Sequence, residues 1–161
     1  MHQEDTLTDM KPIVGPDGLF TSTFLGWLQD QPDSVLLETA RPDRSEFRSH
    51  VFSKPLSTIE CNSLNDADKS LQEVEYAVGQ GLHAAGFMTY ELGYAFEECF
   101  SGTAVSSKPL MWFGIYEEPW TYNHRSKNFE SGEQQALEIA NRLGESCRAP
   151  TICWRLSPIG T

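Results

Sequence analysis

Gly86-Phe87-Met88-Thr89-Tyr90-Glu91-Leu92-Gly93-Tyr94-Ala95-Phe96-Glu97, followed after a polar loop by Pro109-Leu110-Met111-Trp112-Phe113-Gly114-Ile115-Tyr116-Glu117-Glu118-Pro119, is the part of the chain that decides its fold. Each half opens as an apolar, aromatic-rich run of strand length, and a Ser/Gly/Thr segment joins them. The pattern predicts two buried strands separated by a short helix and a loop. Neither half holds a nucleophile, a metal box or a phosphate cradle, so the stretch specifies a scaffold and not a reaction.

Outward from this stretch, the order of elements reads as α+β, an antiparallel sheet with a few packing helices. Residues 1–18 carry acidic residues, threonines and the turn Gly15-Pro16-Asp17-Gly18, which predicts a loose tail ahead of one domain over 19–161. Phe20, Phe24, Trp27 and Leu28 recur at helical spacing behind caps at Thr21 to Thr23. Three extended stretches follow, Ser34 to Thr39, Phe47 to Ser53 and Leu56 to Cys61, and read as an antiparallel meander. Asn65-Asp66 then caps a helix with Leu71, Val74, Val78 and Leu82 on one face, ending near Gly79 and Gly81.

A strand from His83 to Tyr90 leads into a short helix set by Leu92, Ala95, Phe96 and Cys99. After the strand 110–116, Pro119 and the polar run Asn123 to Asn128 mark a loop or hairpin. Ser131 and Gln134 form a capping-box pair for a helix with the apolar face Ala136, Ile139, Ala140, Leu143 and Cys147. A last strand is expected over Thr151 to Leu156.

The chain has 161 residues, 39% hydrophobic and 11% aromatic, enough for one ordinary core without staples. Its net charge of -11 disfavours nucleic acid and anionic membranes, which need clustered Lys and Arg. Cys61, Cys99, Cys147 and Cys153 form no C-x-x-C pair and have no histidine at ligand spacing, which reads as reduced thiols. The polar start Met1 to Lys11 lacks a signal-like core, and no apolar run approaches membrane-spanning length. A cytoplasmic protein is the expectation, with no nucleic acid or membrane partner.

The candidate chemistry is sparse. Gly79-Gln80-Gly81-Leu82-His83-Ala84 fits a relaxed dinucleotide spacing, but it ends a helix and enters a strand, whereas a phosphate cradle leaves a strand and opens a helix. Glu97-Glu98 and Glu117-Glu118 are adjacent carboxylates that point apart and read as solvated. Glu91 interrupts an apolar run and reads as a helix-start acid; His83 has no acid or nucleophile beside it in sequence. Trp112, Phe113 and Tyr116 read as core before ligand platform. Leu37, Glu38 and Thr39 place a carboxylate and a hydroxyl at the end of a buried strand, where an amino acid could be received or the strand simply ends. No G-x-S-x-G, H-E-x-x-H or P-loop pattern occurs.

Four segments carry a resemblance: Leu36-Leu37-Glu38-Thr39-Ala40-Arg41, Arg48-Ser49-His50-Val51-Phe52, the run from Ala85-Gly86-Phe87 to Phe96-Glu97, and Trp112-Phe113-Gly114-Ile115-Tyr116. In order and spacing they resemble the N-terminal part of aminodeoxychorismate synthase component I, the para-aminobenzoate branch of the chorismate-utilising family that includes anthranilate synthase component I. The resemblance covers about residues 34–120. It implies the N-terminal part of the anthranilate synthase component I-like fold, whose strands pair with a larger C-terminal chorismate-binding domain or separate catalytic subunit.

That portion holds the chorismate pocket, the acid-base residues and the magnesium-binding glutamates, so no catalytic or metal residue is expected in this chain and Mg belongs to the whole enzyme. A glutamine amidotransferase subunit is the further implied partner. The resemblance also implies a tryptophan site at Leu37, Glu38 and Thr39, with Thr39 where the family usually has Ser. The expectation is a catalytically inert N-terminal part of an enzyme that makes 4-amino-4-deoxychorismate from chorismate and glutamine-derived ammonia for folate synthesis. The alternatives are a free-standing aromatic amino-acid-binding or regulatory module, or the equivalent part of anthranilate synthase. An incomplete sheet also leads to the expectation of a homo-oligomer through an exposed sheet edge.

Overall fold

Seven strands divide between two antiparallel sheets, and the helices lie against them in a computed structural model that describes residues 13–15, 18, 20–100, 105 and 108–146. The first sheet has β1 (Val35–Leu37), β2 (Arg48–Phe52), β6 (Trp120–Asn123) and β7 (Asn128–Ser131) in the order β1-β2-β6-β7. The second has β3 (Ser57–Cys61), β5 (Met111–Tyr116) and β4 (His83–Met88) in the order β3-β5-β4. The α+β class is therefore as expected, but the single meander is not. β3 leaves β2 and pairs with β5, and the switch runs through Lys54 at φ 56 beside Pro55.

Helix α1 (Ser22–Gln29) starts where Thr21 Oγ1 accepts the Phe24 N–H, and it buries Phe24 and Leu28. Helix α3 (Glu133–Ser146) buries Ala136, Ile139, Ala140 and Leu143, the i, i+3, i+4, i+7 face read from the sequence. Both helices pack on one face of the first sheet, where Val51, Trp120 and Tyr122 complete a continuous core. Ile13 belongs to this core and Val14 bridges Phe20, so the expected loose tail is anchored at these residues. Residues 1–12 lie outside the described set, as do Cys147 and the strand expected at Thr151 to Leu156.

The expected capping box of α3 does not form. Ser131 is the last residue of β7, and its hydroxyl donates to the Pro119 carbonyl at 2.7 Å. Gly132 makes the strand-to-helix turn at φ 75 against the Trp120 ring, which a Cβ there would overlap.

Helix α2 (Ala67–Gly79) covers one face of the second sheet, with Ala67, Leu71 and Val74 against Cys61, Met111 and Phe113. It follows a 3-10 turn at Leu64–Asp66 whose first free N–H, on Asn65, is taken by Ser63 Oγ; Asp66 makes no side-chain cap. Its end is a Schellman motif, with Gly81 at φ 85, Gly81 N–H to Val78 C=O and Leu82 N–H to Ala77 C=O. The dinucleotide-like spacing at Gly79 to Ala84 is thus helix termination. Val78, expected on the apolar face, is instead 51% exposed.

The two strands of the deciding stretch pair with each other, and β5 is much the more buried of the two. β4 is an edge strand with Phe87 and Met88 about half exposed, and the expected helix after it is a pair of 3-10 turns, Tyr90–Phe96 and Glu98–Phe100, in which only Leu92 is buried. Gly86 is where β4 comes closest to β5, since a Cβ there would overlap the Trp112 carbonyl oxygen and the Phe113 Cα.

Candidate functional site

Alternation along the paired strands sorts side chains onto faces. In the first sheet, Val35 pairs with Phe52, Leu37 with His50, and His50 with Thr121, so these side chains share the face away from α1 and α3. In the second, Ala85 pairs with Gly114, Phe87 with Trp112, Trp112 with Glu60, and His83 with Tyr116, on the face away from α2. The two faces meet where Phe52, Ala85, Tyr116 and Val35 pack, with the Phe52 and Tyr116 rings 5.2 Å apart.

Tyr116 fixes this corner. Its ring lies over Gly114, where a Cβ would overlap it, and its hydroxyl donates at 2.7 Å to the carbonyl of Asp33, a residue held at φ 56. Burial, with the Asp33 charge second, pushes the phenol up to about 12. Away from the corner both faces open. Leu37 is 52% and Phe87 48% exposed, Trp112 is half-buried and stacks on Phe87 at 6.5 Å, and Glu60 is exposed. His50 lies between, its Nδ1 3.1 Å from Thr121 Oγ1, and desolvation followed by the Arg48 charge lowers its pKa below 6.5.

The sequence-predicted ligand residues sit at the rim of this open face, and their polar atoms are engaged with the backbone. Glu38 Oε1 accepts the Phe20 N–H at 2.8 Å, tying the end of β1 to the start of α1. Thr39 Oγ1 donates to the Arg48 carbonyl at 2.7 Å, and its N–H donates to Ser49 Oγ at 2.9 Å. The Glu-Thr pair thus clasps the strand end. What it can still offer a ligand is the second Glu38 oxygen and the lone pairs of Thr39, beside the exposed Leu37.

Ser49 and His124 were not singled out by the sequence, being 75 residues apart, yet Ser49 Oγ and His124 Nε2 share a hydrogen bond of 2.7 Å. The pair has the spacing of a nucleophile and base. Ser49 has no accessible surface and already takes the Thr39 N–H, so no substrate reaches its oxygen and the pair serves packing. Only its position in the fold brings it together; no local pattern announces it.

A concavity of about 330 Å³ lies on the opposite side, between Ile13, Val14, the β6–β7 hairpin and α3, with Lys127 and Glu133 among apolar walls of Tyr122, Phe129, Ala136 and Leu137. The hairpin itself is held by the Arg48–Glu130 pair, which Asn123 joins from the side. Glu97, Glu98, Glu117 and Glu118 are exposed, as read from the sequence, His83 is exposed too, and Glu91 stands in the first turn of its 3-10 segment. Among the described residues, no three His, Cys, Asp or Glu side chains come together as a metal-binding group, and no helix is long and apolar enough to cross a membrane. Comparison of the chain with protein-family models, curated proteins and solved structures returns no match.

Proposed function

We propose that the chain is the N-terminal, non-catalytic part of an aminodeoxychorismate synthase component I, serving as the body on which a chorismate-binding catalytic portion closes. The observation that carries this reading is the fate of the deciding stretch. Its apolar side chains read as core, yet Phe87 is 48%, Met88 56%, Tyr90 85% and Phe96 57% exposed. Exposed apolar side chains gathered in one strand and the turns after it favour a site of association. The open faces of the two sheets, which meet at the Phe52–Tyr116 corner, add Leu37, His50 and Trp112 to that surface.

In this reading magnesium, the acid-base groups and the chorismate pocket come with the catalytic portion, and a glutamine amidotransferase supplies the ammonia. The Glu38–Thr39 clasp fixes the end of β1, and any tryptophan held there needs walls from that second portion. Turnover of chorismate with ammonia and magnesium tests the reading. The purified chain produces no aminodeoxychorismate by itself, and mixing it with the C-terminal portion of an aminodeoxychorismate synthase raises the amination rate of that portion. Amination by the chain alone, or a rate indifferent to its addition, contradicts the proposal.

A further inference from the structure

The two sheets present four outer strands, and they differ in how they are guarded. β1 has three residues. β7 carries Glu130 next to Lys127 at φ 56, and its pairing with β6 is broken by a bulge at Thr121/Tyr122. β3 carries Glu60 and follows Lys54-Pro55. β4 is the longest at six residues, contains no Asp, Glu, Lys, Arg or Pro, and keeps an unbroken register with β5 over its whole length. Short strands, charges, prolines and bulges are the devices that keep sheet edges from pairing with other chains. β4 has none of them.

We infer that the outer edge of β4 pairs with β4 of a second copy of this chain, antiparallel across a two-fold axis, joining the two three-stranded sheets into one. The Thr89 N–H to Leu110 C=O bond sets the alternation, which turns the N–H and C=O of Ala84 and Met88 away from β5 and toward the partner strand. A two-fold at Gly86 gives the best side-chain match. Met88 of each copy then faces Ala84 of the other, Phe87 faces Ala85, and the residue without a side chain sits on the axis.

Covering the exposed parts of Phe87, Met88 and Tyr90 on both copies removes on the order of 800–1,000 Å² from water, at the low end for a specific interface. An interface of this size is of the weak, transient kind. The pairing shares Phe87, Met88 and Tyr90 with the surface proposed for the catalytic portion, so the two occupants compete at β4, and they are told apart because one is read by mass and the other by turnover.

Sedimentation velocity of the full chain from 1 to several hundred micromolar is the test. The expected result is a reversible monomer–dimer shift, weakened roughly ten-fold or more in Met88→Lys and retained in Met88→Leu. A monomer throughout, or a dimer untouched by a folded Met88→Lys variant, overturns it. Should that variant fail to fold, hydrogen exchange on the unmodified chain decides. Slower exchange at the Ala84 and Met88 amides with rising concentration supports the pairing, and exchange independent of concentration refutes it.

Discussion

The first sheet and the second are built from similar strands, yet among the described residues one face of the first carries two helices and one face of the second carries one. The first carries α1 and α3 on one face, and its core joins residues from Ile13 to Leu143, with Phe24 and Val51 fully enclosed. Among the described residues the second carries one α-helix, α2, and its buried cluster of Cys61, Ala67, Leu92, Leu110 and Met111 lies on that side. Its other face and the 3-10 turns after β4 leave Phe87, Tyr90 and Phe96 in water. Hydrophobicity alone does not distinguish the two regions. What differs among the described residues is the number of covering helices, two on the first sheet and one on the second, and in the proposed reading the open side of the second sheet is where the catalytic portion closes.

The contrast breaks most visibly under truncation. Phe24→Ala, in the closed core, is expected to cost about 3–5 kcal/mol in urea unfolding. Phe87→Ala, measured at concentrations where the chain is monomeric, is expected to cost about 1 kcal/mol or less, since half of the ring is already in water. Equal losses at the two positions would show that the second sheet is as closed as the first.

The corner between the sheets gives a smaller effect with a distinctive pH signature. Tyr116→Phe removes the hydroxyl from the Asp33 carbonyl and is expected to cost about 1 kcal/mol. The phenol's pKa is raised in the fold from 10.0 to about 12, so the folded state favours its neutral form. That contribution is complete below pH 10 and is lost as pH rises toward 12. Tyr116→Phe should flatten this alkaline decline, and an unchanged decline would place its cause elsewhere.

The smallest effect is at His50, on the open face. Its folded pKa is lowered, first by desolvation and then by Arg48, so the folded state binds fewer protons than the unfolded chain just below pH 6.5. Stability contributed by the neutral ring is present above that pH and falls as pH drops toward the folded pKa. His50→Gln should reduce the slope of melting temperature against pH in this window. A slope unaffected by the substitution would mean that water reaches His50 freely.

Much of the local structure was legible because it depends on neighbours in sequence. The apolar face of α3 and the glycine-terminated end of α2 follow from spacing and from Gly81 at positive φ. The division into two sheets was not legible, because alternation says which face a residue takes and not which strand lies beside it. Leu56 to Cys61 looks the same whether it pairs with β2 or, as it does, with β5. Ser131 and Gln134 fit a capping box by spacing, but the serine is held in β7 by Pro119.

At the candidate site, Leu37, Glu38 and Thr39 were found from sequence, while their engagement with Phe20, Arg48 and Ser49 depends on contacts that no local pattern encodes. The exposure of Phe87 and Tyr90 ran against the sequence reading because aromatic strands are usually covered within their own chain.

Hydrogen–deuterium exchange of the chain, with and without the C-terminal portion of an aminodeoxychorismate synthase, tests the central claim most directly. Without it, at concentrations that keep the chain monomeric, the amides of β4 and the turns through Phe100 exchange faster than those of β2 and β6. With it, protection rises over His83 to Phe100 and along β5 and leaves the α1 and α3 core unchanged. Protection that does not change over His83 to Phe100, or that appears only at α1 and α3, would contradict the account.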